Sequence, residues 1–134
     1  MLDLKGPRVR LAEMVRETIR PYLGVRPFTV CARRWKLLEP FAGLPVRRVH
    51  SIGTPRELRR FLDRFAAERL EGVSVHERLL EPASVAALRT IAEVLMTWPV
   101  NRPGRAKELV HLGVDGLITD DAAALSVPDA LVTV

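Results

Sequence analysis

The sequence predicts an α/β fold built on a parallel sheet, and three observations carry that prediction. Short apolar segments alternate with amphipathic helical segments about six times along the chain. The apolar segments carry no polar face, as in VLMTW at 94–98, which is the pattern of strands in a parallel sheet covered by helices. Polar residues stand just past the ends of those segments, where α/β folds build their sites. Regular alternation implies right-handed crossovers between parallel strands. Two closures satisfy it, an open doubly wound sheet or a (β/α) barrel. A complete barrel takes eight units and about 250 residues, so a chain of 134 residues would hold an incomplete one.

The strands are expected at 2–5, 28–32, 46–50, 72–76, 94–98 and 116–119, and the helices at 8–23, 34–41, 55–69, 82–91 and 103–112, with a short helix at 121–125. Thr54-Pro55-Arg56-Glu57 has the form of an N-cap, a proline at the first helical position and an acid in the first turn. Asn101-Arg102-Pro103 opens the last long helix in the same way, and Gly24 and Gly113 suit helix C-termini. Leu58, Phe61, Leu62 and Phe65 recur at steps of three and four, an apolar stripe that faces a sheet.

Hydrophobic residues make up 48% of the chain, enough for a packed core in one domain. One cysteine, Cys31, excludes an internal disulfide, and the histidines and cysteine form no metal-type spacing. The first residues lack the apolar core of a signal peptide, and no apolar run approaches the roughly 20 residues of a membrane span, so the expected location is the cytoplasm. The net charge of +5 comes from 21 basic and 16 acidic side chains, nearly all of the bases being Arg. The bases are spread along the chain rather than clustered, and aromatics are only 5%. A solvated arginine-rich surface is therefore expected rather than a nucleic-acid platform.

In a parallel sheet the candidate site lies at the C-terminal strand ends. The polar residues there are Asp3 and Lys5, Arg33 and Arg34, His50 and Ser51, His76 and Glu77, Trp98 and Asn101, and Thr119, Asp120 and Asp121. Alternation puts Asp3 and Lys5 on one face and Leu2 and Leu4 on the other. A carboxylate and an amine on an inner face suit a cation and an anionic substrate; an ion pair at a frayed end is the other reading of the same two residues. His50 and His76 close two strands, from which either could face the site. His111 lies late in a helix, where a cation stabilises the helix end. Cys31, mid-strand among apolar neighbours, reads as core rather than nucleophile. Neither GxGxxG nor GxxxxGK[ST] occurs, so the common nucleotide fingerprints are missing.

The block TWPVN, followed after a helix by GVDGLITD, resembles the C-terminal end of the glycerophosphodiester phosphodiesterase family, which typically reads W-T-V-N and then G-V-D-G-I-I-T-D at its last strand. Trp98, Val100 and Asn101 match the first part, with Pro99 in place of threonine; Gly113, Val114, Asp115, Gly116, Ile118, Thr119 and Asp120 match the second. Leu2-Asp3-Leu4-Lys5 is similar to the family's E-x-K strand, with Asp3 in place of Glu. FTVCARRWKLLEPF and VHSIGTPRELRRF are similar to the strand–helix units in between.

The resemblance implies a TIM-type (β/α) barrel represented by strands three to eight of eight, with 1–134 as one partial barrel domain. It implies a phosphoric diester hydrolase of glycerophospholipid metabolism, releasing glycerol 3-phosphate and an alcohol. Asp3 would be a ligand of a divalent cation, Ca²⁺ or Mg²⁺; Lys5 and Trp98 would contact a small anionic phosphodiester substrate. No catalytic residue is assigned. The family's two catalytic histidines come from an H-R-G and an H-D motif, and further cation ligands from E-x-D, and these motifs do not occur in the sequence. The expectation is a chain that is inactive alone or completed by another chain. A non-catalytic α/β binding or assembly module, dimeric through open sheet edges, is the alternative, and an open domain binding anions or nucleic acid through its arginines is a second.

Overall fold

The computed structural model describes residues 1–123 and 125. Six parallel strands, β1 (Leu2–Asp3), β2 (Phe28–Ala32), β3 (Val46–Ile52), β4 (Leu70–His76), β5 (Ala92–Trp98) and β6 (Gly116–Leu117), form one sheet. Their spatial order is the sequence order, β1-β2-β3-β4-β5-β6. A doubly wound sheet reverses its strand order at a switch point; this one never does, which selects the barrel closure. The helices are α1 (Val9–Ile19), α2 (Pro55–Phe65), α3 (Pro82–Ile91) and α4 (Pro103–His111), with 3₁₀ segments at Arg20–Tyr22, Trp35–Phe41 and Glu77–Leu79.

Register shows that all the helices pack on one face. Val30 lies opposite Leu2, His50 opposite Ala32 and Val73, and Val75 opposite Ile52 and Thr97. This row meets the helices in two apolar clusters. Ile52, Val73, Val75 and Leu95 pack with Phe61 and Phe65 of α2, Leu88 of α3 and Leu109 of α4. Leu4, Val30, Ala32 and Val46 pack with Ala12 and Ile19 of α1 and with Leu37, Leu38 and Phe41 of the 3₁₀ segment. The other face, where Asp3 lies opposite Cys31 and Cys31 opposite Val49, and where Ser51, Ser74, Met96 and Gly116 follow one another in register, carries no helix among the described residues. The molecule is thus an incomplete TIM-type barrel, an arc of six strands with its core outside and a concave inner face.

That inner face is tightly built. A Cβ on Gly116 would sit 2.9 Å from Met96 Cγ, and one on Gly72 would sit 3.1 Å from Val49 Cγ2. A side chain at Gly116 would have to displace Met96, and one at Gly72 would need Val49 to give by a few tenths of an ångström.

Several elements depart from expectation for identifiable reasons. The helix expected at 34–41 is a 3₁₀ segment, Trp35–Phe41, because Pro40 lies inside it and can donate no helical hydrogen bond. The first helix ends at Ile19 rather than 23, where Pro21 turns the chain into a 3₁₀ step; Gly24, at φ 88°, follows that step rather than the α-helix. Gly113, at φ 94°, does end α4, donating to Val110 O at 2.9 Å. Thr54 forms a full capping box with Glu57. The short helix expected at 121–125 is a turn in its described residues, with Leu125 N donating to Ala122 O at 3.3 Å. No helix among the described residues is long and apolar enough to cross a membrane.

Candidate functional site

The concave face holds a cavity of about 530 Å³ at the C-terminal strand ends, lined among others by Asp3, Lys5, Cys31, Ser51, Ser74 and Trp98. Asp3 Oδ2 and Lys5 Nζ are 3.3 Å apart, and both side chains are largely exposed. β1 is short, but Leu4 N still donates to Cys31 O at 2.8 Å, so Lys5 leaves the strand beside the cavity. Cys31 lies opposite Asp3 in register. Burial and the Asp3 charge push its thiol up to about 11, against the opposing hydrogen bond with Ser51. It therefore stays protonated at neutral pH and is no nucleophile, although it faces the concavity rather than the helix-side core. Trp98 Nε1 donates to Ser74 O at 3.4 Å, and its ring meets His76 edge-on with centroids 4.9 Å apart. Ser74 Oγ is buried with no hydrogen-bond partner.

The two halves of the TWPVN and GVDGLITD block are clamped together. Asn101 Oδ1 accepts from Thr119 Oγ1 at 3.0 Å and from Asp120 N at 3.1 Å, while its Nδ2 donates to Asp120 Oδ2 at 3.2 Å. Val100 N donates to Ile118 O at 2.9 Å. At the other end of β5, Asp115 Oδ2 accepts from Leu95 N at 2.7 Å and pairs in bidentate fashion with Arg89, which also reaches Gly113 O. Burial raises the Asp115 carboxyl, but Arg89 and the Leu95 amide outweigh it and hold the pKa below its ordinary value. These contacts set the register of the last strand. Asn101 is thus a strand-end clamp, and α4 starts at Pro103 with Arg102 at the N-cap position and no side-chain cap.

The structure divides the predicted site residues. Asp3, Lys5, Arg33, Arg34, Ser51, Trp98 and Asp120 share the concave cavity. His50 does not: it lies in the helix-facing row and packs against Trp35, Phe61 and Phe65. The sequence expectation that it could face the site is corrected by alternation, because β3 runs on to Ile52 and Ser51 takes the inner position. His76 keeps an inner position, where its Nδ1 accepts from Arg78 N at 3.3 Å. His111 Nδ1 lies 2.7 Å from Lys107 O in the last turn of α4. Glu77 is taken up by Arg105, at 2.7 Å from Nε, and so is a tie between the end of β4 and α4. Arg33 donates to both carboxylate oxygens of Glu57 at 2.9 Å. Sequence reasoning did not single out Ser74; its signal was a lone small polar residue alternating with Val73 and Val75.

A divalent cation takes six or more ligands, largely oxygens. Among the described residues no group of three or more His, Cys, Asp or Glu is placed to hold a metal ion. Asp3 and Asp120 line the cavity, the one paired with Lys5 and the other bound by Asn101, and the donors present do not by themselves make a cation site.

No protein-family model and no curated protein matches the chain. Solved structures do. A protein assigned as a glycerophosphoryl diester phosphodiesterase from Silicibacter pomeroyi superposes with a TM-score of 0.71 over 93% of this chain and 48% of its own, at 20% identity. The glycerophosphodiester phosphodiesterase of Thermotoga maritima gives 0.67 over 90% and 54%, at 21% identity. The fold is that of part of a glycerophosphodiester phosphodiesterase barrel. A phosphodiesterase from Oleispira antarctica, solved with the product sn-glycerol-3-phosphate, gives 0.66 over 89% and 50%, at 16% identity. The chain spans about half the length of these structures.

Proposed function

We propose that this chain is the strand-three-to-eight portion of a glycerophosphodiester phosphodiesterase-type barrel, and that its concave face takes the phosphate end of a small glycerophosphodiester or of glycerol 3-phosphate. The observation that carries the reading is the convergence of Asp3, Lys5 and Trp98 on one cavity in a fold shared with a phosphodiesterase that binds sn-glycerol-3-phosphate. Lys5 supplies a flexible point charge for a phosphate oxygen. Trp98, fixed against Ser74 and His76, offers an apolar wall for the glycerol carbons. Asp3 is the one residue of this chain assigned to a divalent cation, and its present partner is Lys5.

Hydrolysis of a phosphodiester needs a proton donor for the leaving alcohol and, in metal-assisted cleavage, several ligands to the ion. The described residues of the concave face supply neither set, so the chain binds without cleaving unless another chain completes the arc. The edges β1 and β6 are where such a chain, including a second copy, would pair. In the whole domain the reaction is that of a cytoplasmic phosphoric diester hydrolase of glycerophospholipid metabolism. A non-catalytic binding or assembly module is the second reading, and the missing group of acids on the described face favours it.

The test is a titration of the ¹⁵N-labelled chain with sn-glycerol 3-phosphate. Shifts at Lys5, Ser74 and the Trp98 indole, weakened at least tenfold by Lys5→Glu, are expected. Saturation without any response at these residues, or binding indifferent to Lys5→Glu, would remove the concave face from the account.

A further inference from the structure

A second cleft, larger than the concave cavity at about 870 Å³, opens on the helix side between the 3₁₀ segment Trp35–Phe41 and α2. It exists because a proline-containing 3₁₀ segment stands where a longer helix would cover β2 and β3. Its floor is an aromatic cluster: Trp35 and Phe65 meet edge-on at 5.7 Å, and His50 meets Phe65 at 5.1 Å. His50 is 9% exposed, and its Nδ1 has no partner.

The charges around this floor are unbalanced. Arg33 and Arg48 are satisfied by Glu57 and Glu71. Four further cations line the cleft: Arg34, Lys36, Arg60 and Arg64. The side chains of Arg34 and Lys36 have no ionic or hydrogen-bonding partner among the described residues. The Arg60 guanidinium lies 5.5 Å from the Trp35 ring centroid, and that of Arg64 5.2 Å from Phe65. Stacking holds a guanidinium by its face and leaves its in-plane N–H donors unused. Against these four stand only Glu39 and Glu68. A concave surface with two positioned guanidiniums and an excess of positive charge attracts anions. Planar donors of this kind match phosphate oxygens in pairs. The guanidiniums already cover the aromatic faces, so no platform is left for stacked bases, and the cleft suits a compact ligand rather than a strand of nucleic acid.

We propose that this helix-side cleft is a binding site for a compact phosphate-bearing anion of two or more charges, with Arg60 and Arg64 as its principal ligands and Arg34 and Lys36 at its rim. It opens on the other side of β3 from the concave cavity, Arg48 and His50 lining the one and Ser51 the other, and the two meet at Arg33 and Arg34, which line both. The phosphate could belong to a soluble phosphoanhydride or to a lipid headgroup.

Two probes separate these sources. Sodium pyrophosphate is titrated into the intact chain by calorimetry, and the chain is sedimented with phosphatidylcholine vesicles with and without phosphatidic acid. Pyrophosphate binding is expected to weaken at least tenfold in Arg60→Glu and in Arg64→Glu. It is expected to change by less than threefold in Arg59→Glu, the same charge change outside the cleft lining. Retention on phosphatidic acid vesicles with the same variant pattern would identify a lipid headgroup; pyrophosphate binding alone would identify a soluble ligand. Failure of both probes overturns the proposal. So does equal loss in Arg59→Glu, which would mean general charge attraction, or loss in Lys5→Glu with Arg60→Glu unaffected, which would place the anion on the concave face.

Discussion

The two faces of the sheet are built by opposite rules. The helix face presents Val30, Val73, Val75 and Leu95, all fully buried, and the aromatic cluster around Phe61. The concave face presents Asp3, Cys31, Ser51, Ser74 and Trp98 around an open cavity. Adjacent residues of one strand therefore have different duties: His50 is packing and Ser51 is lining, Val73 is packing and Ser74 is lining. In a closed barrel, inward side chains fill the centre in layers. Here several of those inner positions carry small residues, Cys31, Ser51, Ser74 and Gly116 among them, and the arc is held together from outside. Stability and recognition are accordingly separable, and substitutions on the two faces should have different consequences.

The largest effect is expected on the helix face. Phe61→Ala removes a fully buried ring and should cost about 3–5 kcal/mol in denaturant unfolding. A loss under about 1 kcal/mol would mean that the outer layer does not carry the fold.

Next comes the pH dependence of the same face. Burial, with Arg48 beside it, lowers His50 to about 4, against about 6.5 in the unfolded chain. As pH falls below 6.5 the unfolded chain takes up this proton first. Stability is then lost between about pH 6.5 and 4, by up to about 1.4 kcal/mol per pH unit. His50→Phe should flatten that part of the wild-type curve while leaving stability above pH 7 close to wild type. An unchanged slope would show that His50 does not titrate as its surroundings dictate.

A smaller effect is expected at the strand-end clamp. Asn101→Ala deletes three hydrogen bonds joining β5 to the Thr119–Asp120 turn. At roughly 0.5–1 kcal/mol for each of these exposed bonds, the cost should be about 1.5–3 kcal/mol. Faster amide exchange at Ile118 and Asp120 should accompany it, and protection equal to wild type would argue that the turn is held by other contacts.

The smallest effect belongs to the concave face. Ser74→Ala removes a buried hydroxyl that has no partner and should leave stability unchanged within about 0.5 kcal/mol or raise it. It should still weaken glycerol 3-phosphate binding, because Ser74 lines the cavity and carries Trp98 on its carbonyl. A large destabilisation would put Ser74 with the packing residues instead.

Much of this division was legible in the sequence. Short apolar runs alternating with amphipathic segments, with the caps at Thr54 and Gly113, placed all six strands and most helices. The TWPVN–GVDGLITD pair pointed to the barrel, which the strand order and the solved structures then supported independently. What was not legible is what depends on contacts across the chain. His50 was assigned by its position at an expected strand end, but β3 continues two residues further, and its orientation follows from register with Ala32 and Val73. Glu77 looked like a site acid until Arg105, from a helix 28 residues away, was seen to bind it. The helix-side cleft was invisible because its cause is a proline in the Trp35–Phe41 segment, and its arginines come from three separate elements.

The most direct test of the central claim, an arc that can bind a glycerophosphate group but cannot cleave a phosphodiester alone, is release of glycerol 3-phosphate from glycerophosphocholine by the purified chain with Ca²⁺ or Mg²⁺. The account predicts no release above the uncatalysed background, alongside measurable glycerol 3-phosphate binding that Lys5→Glu abolishes. Turnover by the chain alone, lost on chelation and in Asp3→Ala, would contradict it.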